Sequence, residues 1–523
     1  MGNAISRAAD ANRAQAIVLL VGLMVLLVGT TFTAATGAGG PILLLIAGMI
    51  GGYAVIRYPF TGVIVFLITF LFTYPAPLRG SGNFTINNML GAVLLPMLLF
   101  GTLREGPGWF FRLRPLAPLF IAVGILLSSG VFYNRTVGDS EGQATVEERR
   151  GLDKEMYGAR RTGGELLVRT RDPRVKIVTR MVFLLFFVFF VRTPAQIKVV
   201  VGLLLSVLLM SYLNVSSEAG ELGWGRGRLR VVGEAGTALY TGTNPNKLAF
   251  YIIMCATFLW YMRTRIRSFL PWLVWLASFV ACIIATLMTG SRSGFLGLLV
   301  FLGIILLEGR FSYRKVAGLV LAAMLATVQI GYDVNVLEYV IPSETAGRLT
   351  QITGSGEVLG EGQSAEGSFQ KRARKFFEGI GLVSYAPLLG VGLGNFETVQ
   401  EVADPTGIGG PPHNSYLWAA VEGGIVTLFI YLYALTWMLR RLSETLRDYE
   451  GRFGPVDMRW MVASLRTLLL LFFFFSFFAD VWIHIYFYVI AGLCLATIQL
   501  HRNYSETGSV PGTQIGPPGN ATA

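Results

Sequence analysis

Cysteine, histidine and charge are all scarce in this chain of 523 residues. It has three cysteines and three histidines, and the four charged residue types together make up 14%. The cysteines lie inside apolar runs, at Cys255, Cys282 and Cys494, and their spacing gives neither a metal motif nor a redox compartment. A Ser-His-Asp order and a glycine-rich phosphate loop between strand and helix are also missing. The commonest sequence signatures of metalloenzymes, serine hydrolases and nucleotide-binding enzymes are therefore absent.

Apolar residues are abundant instead. They make up 53% of the chain, and the mean hydropathy is +0.58. They are grouped in blocks such as AIVLLVGLMVLLVGTTFTAATGAGG and LLLLFFFFSFF. Because about 20 apolar residues cross a bilayer core, the pattern predicts an all-α polytopic membrane helix bundle with about 12 to 14 transmembrane helices. The predicted spans cover residues 16–36, 42–57, 60–74, 88–103, 115–132, 178–192, 196–214, 245–262, 268–289, 294–307, 316–332, 415–438, 462–479 and 481–500. We expect the first span to be a retained helix and not a signal peptide.

Membrane topology explains most of the net charge of +12, so nucleic-acid binding is not needed to account for it. Four short basic loops fall on one side if the spans alternate, and the positive-inside rule places that side in the cytoplasm together with the N-terminus. These loops are residues 103–114, 263–267, 308–315 and 440–452. Three long loops, 133–177, 215–244 and 333–414, are then periplasmic. Loop 133–177 carries about ten basic residues and departs from the rule, from which long loops are partly exempt.

A single charge, Arg292, stands in the short outer loop MTGSRSGF, residues 288–295. An arginine is costly in hydrocarbon, so its guanidinium either reaches the lipid headgroups or binds an anion. Position alone favours the headgroups. Small residues that offer N–H and hydroxyl donors surround it, and no acidic residue is near in sequence, which together favour phosphate binding.

Two further polar groups lie at the outer ends of spans. His413 closes the loop 333–414 in the stretch PPHNSYLWAAVEGG, where a lone histidine is more often a structural hydrogen-bonding group than a catalyst. We found no second ligand that would complete a metal site with it. In the Asn244-Pro245-Asn246 unit, Asn244 fits a helix N-cap and Pro245 the first helical position. His484 and His501 are interpreted as structural.

Basic residues also occur in two of the long loops. Arg226, Arg228 and Arg230 precede the Asn-Pro-Asn unit, and nearby glutamates would suit them in a solvated loop. In the stretch SFQKRARKFF, basic residues interleave with Phe369, Phe376 and Phe377. That pattern is typical of an interfacial helix that lies on the membrane.

Four elements together resemble the O-antigen ligase/polymerase superfamily of bacterial membrane glycosyltransferases. They are GTNPNKLAFYI, TGSRSGFLGLL, PLLGVGLGNF and HNSYLWAAVEGGIVTLFIYLYAL, in that order along about residues 226–438. The resemblance divides the chain into N-terminal helices (1–214), a ligase-like core (215–438), C-terminal helices (439–501) and a tail expected to be disordered (502–523).

The resemblance also implies site residues. Arg292 and His413 match the essential arginine and histidine of the family. Arg230 matches its other arginine, with Arg228 or Arg226 as alternatives. The implied substrate-binding residues are Asn244, Asn246, Arg372 (or Arg374), Asn414 and Glu422. Glu422 lies about 14 Å beyond His413 along a helix, so we expect only a supporting role for it.

The implied function is transfer of a glycan from undecaprenyl pyrophosphate to an acceptor hydroxyl, without a metal or another cofactor. The implied partners are membrane lipids, the lipid-linked donor and a glycan or lipid acceptor, at the periplasmic face of the inner membrane. A transporter or flippase for a lipid-linked anion is the alternative. It is less favoured because transporters place charges near the midplane and often contain repeats.

Overall fold

The computed structural model describes residues 53–71, 91, 93–99, 116–137, 173–206, 245–289, 291–307, 376–396, 400, 414–448, 458–477, 479 and 484–507. Their regular structure is helical throughout, which confirms the all-α prediction. Ten helices carry labels here. They are α1 (Pro59–Leu71), α2 (Ala117–Val137), α3 (Pro173–Phe190), α4 (Pro194–Ser206), α5 (Pro245–Met262), α6 (Phe269–Met288), α7 (Arg292–Leu307), α8 (Ser415–Asp448), α9 (Arg459–Phe475) and α10 (Ile485–Thr507).

Three of the described helices are long and apolar enough to cross a membrane. They contain the segments Phe269–Leu287, Ser415–Asp448 and Ile485–Glu506, and shorter apolar helices accompany them. The prediction of a polytopic membrane protein is therefore confirmed. The predicted spans 16–36 and 316–332 lie outside the described residues, so the count of 12 to 14 stays a prediction.

Helix α5 lies at the centre of the bundle. Its residues 248–256 are all buried, and it packs against α6, α7 and α9. Helix α8 packs against α2, α9 and α10, and α3 packs against α1 and α10. By contrast, α6 exposes Phe269, Leu270 and Val274. Such a strongly apolar and exposed face suits contact with lipid, because apolar side chains are favourable in the hydrocarbon of a bilayer.

Side-chain contacts show which helix ends lie together. Asn246 at the start of α5 is hydrogen-bonded to Ser291 at the start of α7. The start of α8 is hydrogen-bonded to the chain at the end of α9. We call this the site end. At the opposite end, His501 of α10 lies 3.0 Å from the carboxylate of Asp448 at the end of α8. The chain also turns there through the 3₁₀ turn Arg263–Arg265. The basic segment 263–267 and the end of α8 thus lie away from the site end.

Several element boundaries differ from the sequence prediction. Arg292 is the first residue of α7, whereas the sequence placed it in a loop. Helix α8 continues past residue 438 to Asp448, and α10 continues past residue 500 to Thr507. Residues 502–507 of the tail that was expected to be disordered are therefore helical. Both extensions are polar, with the pairs Arg440–Glu444 and Arg502–Glu506 one helical turn apart. A hydrophobicity criterion ends a span where polar residues begin, although the helix itself continues.

Candidate functional site

Two of the sequence elements meet in a direct hydrogen bond. The hydroxyl of Ser291 donates to Oδ1 of Asn246 over 2.7 Å, joining positions 45 residues apart. The same hydroxyl accepts from the backbone N–H of Gly294 at 2.9 Å and lies 3.1 Å from the hydroxyl of Ser293. Ser291 is therefore the N-cap of α7 and also its link to α5.

Small residues allow α5 and α7 to approach closely at this point. A Cβ atom on Gly294 would lie 2.5 Å from Cβ of Ala249, so a larger residue at 294 would force the two helices apart. The approach holds the start of α7, and with it the backbone of Arg292, against α5. A helix start also presents backbone N–H groups and a partial positive charge, both of which favour an anion.

Helix α9 links this pair to the start of α8. The ring of Phe475 lies 4.9 Å from that of Phe250 on α5, and it fills the space beside Gly297 on α7. The next residue, Ser476, accepts a 2.7 Å hydrogen bond at its carbonyl from the N–H of Ser415. The hydroxyl of Ser415 in turn donates to the carbonyl of Ala479 at 2.7 Å. The starts of α5, α7 and α8 therefore converge around the end of α9.

Asn414 caps α8 at this junction. It is buried, and its Oδ1 accepts from the N–H groups of Tyr416 and Leu417, each at 3.0 Å. Two of the N–H groups that a helix start leaves without a helical partner are thereby satisfied. The cap fixes where α8 begins, and so fixes the chain directly after residue 413.

A glycine-rich segment enters a break in α8. The backbone of α8 leaves the helical region at Gly424, with φ 72° and ψ 175°. The carbonyls of Val421 and Glu422 accept instead from the N–H groups of Val391 and Gly392, at 2.9 and 2.8 Å. The N–H of Ile425 donates to the carbonyl of Pro387 at 2.8 Å. Residues 387–392 thus satisfy the backbone groups that the break exposes.

Glycine is required on both sides of this pairing. Gly390 and Gly424 both have φ of +72°. A Cβ on Gly390 would lie 2.3 Å from the backbone of Glu422, and one on Gly424 would lie 2.1 Å from the carbonyl oxygen of Leu388. The two backbones can approach this closely only because neither position has a side chain.

The carboxylate of Glu422 secures the same junction. Glu422 is buried, and its Oε1 accepts from the N–H of Phe396 at 3.2 Å. Beyond Phe396, Gln400 donates its amide to Oε2 of Glu378 at 2.7 Å. Glu422 therefore ties the segment 391–396 to α8. This contact is structural, and a role of Glu422 in substrate binding stays a prediction.

The comparison with protein families covers this part of the chain. The family model described as O-antigen ligase matches residues 277–432. The resemblance to the O-antigen ligase/polymerase superfamily is confirmed. The match spans Ser291, Arg292, Asn414 and Glu422, and it ends within α8. No curated protein matches the chain.

This match and the apolar helices support a membrane glycan function of the O-antigen ligase/polymerase type. They indicate a bacterial inner-membrane protein in a lipid environment. The matched segment begins after α5, so Asn246 and Arg230 lie before it. The bond from Asn246 to Ser291 nevertheless joins α5 to that segment.

The O-antigen ligase resemblance named eight site residues, of which the structure describes four in part or in full. Asn246, Asn414 and Glu422 are placed with their side chains, and Arg292 with its backbone only. His413, Arg230, Asn244 and Arg372 lie outside the described residues, as do the alternatives Arg226, Arg228 and Arg374. Among the described residues, no group of three or more His, Cys, Asp or Glu side chains fits a metal ion.

Sequence reasoning missed several residues that build the candidate site. Ser291 joins α7 to α5, and Ser415 and Ser476 join α8 to α9, but in each case the partner is distant in sequence. Ser291 carried one usable signal, because a serine before an apolar run predicts an N-cap. The signal at Gly424 was ambiguous, because glycine also occurs in membrane helices that have no break.

Proposed function

We propose that the protein transfers a glycan from undecaprenyl pyrophosphate to an acceptor hydroxyl at the periplasmic face of the inner membrane. The convergence of three helix starts at the end of α9 supports this proposal. It brings together Asn246, the first residue of α7 and the N-cap that follows His413. These are the elements that the family resemblance assigns to the site, and they come from separate parts of the chain.

In the proposed reaction, the acceptor oxygen attacks the anomeric carbon of the donor sugar. The bond from that carbon to the pyrophosphate oxygen breaks, and its electron pair leaves with the lipid pyrophosphate. Arg292 and Arg230 stabilise the growing negative charge by charge-assisted hydrogen bonds. His413 takes the proton of the acceptor hydroxyl, since an imidazole with a pKa of about 6.5 acts as a base near neutral pH.

The arginine pair should make a metal ion unnecessary. Magnesium commonly neutralises pyrophosphate in other enzymes, and guanidinium groups would replace it here. We expect glycan transfer by the purified protein to continue in the presence of EDTA. Activity that disappears with the chelator and returns with a divalent cation would show that the arginines alone do not neutralise the leaving group.

Two substitutions test the proposed roles directly. Arg292→Lys keeps the positive charge but loses the planar guanidinium, so it should lose most transfer activity if the arginine binds pyrophosphate through two N–H groups. If the side chain only reaches lipid headgroups, lysine should replace it almost freely. His413→Ala should abolish transfer while donor affinity stays nearly unchanged.

Transfer rate and donor-lipid affinity would be measured for both variants in one detergent, after folding is confirmed. Arg192→Lys is a matched control, because Arg192 is exposed and its Nε donates to the carbonyl of Phe189. Wild-type transfer by both Arg292→Lys and His413→Ala would reject the proposed site. Turnover of a lipid-linked glycan by the wild-type protein also separates this function from transport without chemistry.

A further inference from the structure

Residues 376–389 pack on α8 and also expose apolar side chains. Residues 376–383 are helical, and a Cβ on Gly379 would lie 2.5 Å from the side chain of Leu417 near the start of α8. Leu382, one turn further on, is buried in the same cluster as Leu417. Outside this contact the segment exposes six apolar side chains, which are Phe376, Phe377, Ile380, Tyr385, Leu388 and Leu389. We call these six side chains the outer patch.

The sequence around the outer patch is typical of a membrane interior rather than of a loop in water. Residues 379–396 contain no charged residue, whereas four basic residues come shortly before them, at Lys371, Arg372, Arg374 and Lys375. Soluble surfaces rarely expose contiguous apolar patches that have no binding partner. Basic residues beside an apolar stretch are instead typical of the boundary between headgroups and hydrocarbon. The composition thus favours a position of the outer patch on the hydrocarbon side of this boundary.

Two contacts show how far residues 376–389 reach along α8. Gly379 lies against Leu417, which is close to the first residue of α8. Further on, the N–H of Ile425 donates to the carbonyl of Pro387 at 2.8 Å. Leu417 and Ile425 are eight residues apart, which corresponds to about 12 Å along a helix. The chain therefore runs from the site end toward the middle of α8 instead of staying at the level of its start.

The charges of α8 place Ile425 within the hydrocarbon. Residues 423–439 carry no charge, and Arg440 and Arg441 follow them with exposed side chains. The hydrocarbon therefore ends near Arg440 on that side. Ile425 lies 15 residues earlier, about 22 Å along the helix, whereas the hydrocarbon core is about 30 Å thick. Tilt only shortens the distance across the membrane, so Ile425 and the adjoining Pro387 lie inside the core.

Exposed side chains of α8 continue the outer patch. Ile425, Phe429 and Tyr433 are all exposed and lie on one face, because residues four apart are one helical turn apart. This face starts where Leu388 and Leu389 pass the break, and it belongs to a helix long and apolar enough to cross a membrane. A membrane helix contacts lipid through its exposed apolar face. The outer patch thus adjoins a face that contacts hydrocarbon.

The backbone of the segment is arranged as a bilayer requires. Hydrocarbon offers no partners for N–H and C=O groups, so irregular backbone at membrane depth must bond within the protein. The carbonyl of Pro387 and the N–H groups of Val391 and Gly392 are all hydrogen-bonded to α8. The N–H of Gly390 donates to the carbonyl of Ala386 at 2.9 Å. These polar groups bond within the protein, whereas the side chains of the outer patch face outward.

We infer that residues 380–389 form a re-entrant segment whose outer patch contacts the hydrocarbon chains of bilayer lipids. Leu388 and Leu389 lie deepest, against acyl chains, and Phe376 and Phe377 lie near the headgroup boundary. Part of the loop 333–414, which the sequence placed wholly in the periplasm, then lies within the membrane. The bilayer holds residues 387–392 in the break of α8 from the side that the protein leaves open.

The accessibility of a spin label tests this placement directly. Leu388→Cys, Tyr433→Cys and Arg447→Cys would be made one at a time in the full chain without its three buried cysteines, and reconstituted in phosphatidylcholine nanodiscs. A nitroxide on each new cysteine is exposed to oxygen, which concentrates in hydrocarbon, and to a nickel chelate, which stays in water. Tyr433 is the reference for the bilayer. Arg447, exposed on the polar end of α8, is the reference for water.

The label at 388 should resemble that at 433, with nickel accessibility several-fold lower than at 447, because a polar chelate is excluded from hydrocarbon. High nickel accessibility at 388 would overturn the inference by placing the outer patch in water. Low accessibility to both reagents would overturn it as well, since another part of the protein would then cover the patch. Leu389→Cys repeats the test at the neighbouring exposed position if Leu388→Cys does not fold.

A photochemical measurement keeps the native cysteines. A diazirine amino acid in place of Leu388 would be irradiated in the same nanodiscs, and mass spectrometry should detect an adduct with the mass of one phospholipid. The same diazirine in place of Arg447 is the control and should give mainly water adducts. A water adduct alone at 388 would contradict the placement. Neither measurement uses a donor or an acceptor, so both are independent of the proposed glycan transfer.

Discussion

Glu422 illustrates, at the scale of one residue, how an acidic side chain beside a candidate active site can serve the backbone. Its Oε1 accepts from the N–H of Phe396, and both groups are buried. Glu422→Ala should therefore destabilise the protein by about 1–3 kcal/mol, because the N–H loses its acceptor. Glu422→Gln keeps a side-chain oxygen and should lose clearly less. Thermal unfolding in detergent measures both.

Glu444→Gln is the control for that prediction. Glu444 forms ion pairs with the neighbouring Arg440 and Arg441 on the surface of α8. Surface pairs contribute at most about 1 kcal/mol. An unchanged melting temperature for Glu422→Ala would contradict the structural role of Glu422.

Single residues also mark the limit of sequence reasoning. The sequence correctly predicted a helix over 245–262, because apolar periodicity and the Asn-Pro start are local signals. The partner of Glu422 lies 26 residues earlier, and that of Ser291 lies 45 residues earlier. Hydrogen bonds over such separations leave no periodic pattern in one sequence.

Among the helices and segments, the break in α8 is the feature that most constrains the site. An alanine at Gly424 would need a positive φ and would place its Cβ 2.1 Å from the carbonyl oxygen of Leu388. Gly424→Ala should thus expel residues 387–392 from the break and strongly reduce both stability and transfer. Melting temperature and transfer rate would be measured together.

Gly303→Ala provides the matched control, because a Cβ at Gly303 in α7 meets nothing within 4 Å. It should behave like the wild type or be slightly more stable, since alanine favours a helix. If Gly424→Ala unfolds no earlier than Gly303→Ala, the paired segment is not needed for the fold.

The sequence predicted α8 as one continuous span, and this was right for its start and incomplete for its interior. A hydrophobicity window averages over Gly423 and Gly424 and detects no break. The complementary segment PLLGVG was noticed only as a part of the family resemblance. That it pairs with α8 follows from two positive φ angles and close backbone contacts, which composition does not encode.

For the whole molecule, orientation in the membrane is the property that most needs an experiment. We expect the site end to face the periplasm, because the basic segment 263–267 and the end of α8 lie away from it and the positive-inside rule places basic loops in the cytoplasm. Cysteines would be introduced at Gly362 and at Arg447, which is exposed. The background variant would lack Cys255, Cys282 and Cys494, all of which are buried.

An impermeant thiol reagent added to intact spheroplasts should label the cysteine at 362, whereas that at 447 should react only after lysis. The reverse pattern would place the site end in the cytoplasm. It would then exclude the proposed periplasmic reaction, although the fold would be unaffected.

The hydrogen bonds from Ser415 to Ser476 and Ala479 have a consequence for how the protein is made. The hydroxyl of Ser415 and its acceptor are 64 residues apart, and the acceptor comes later in the chain. A ribosome has therefore already synthesised Arg230, Arg292 and His413 long before the residues that hold the start of α8 emerge. The groups proposed to react would therefore stay unassembled in the nascent chain until α9 had been made, so assembly of the proposed site would depend on the last helices.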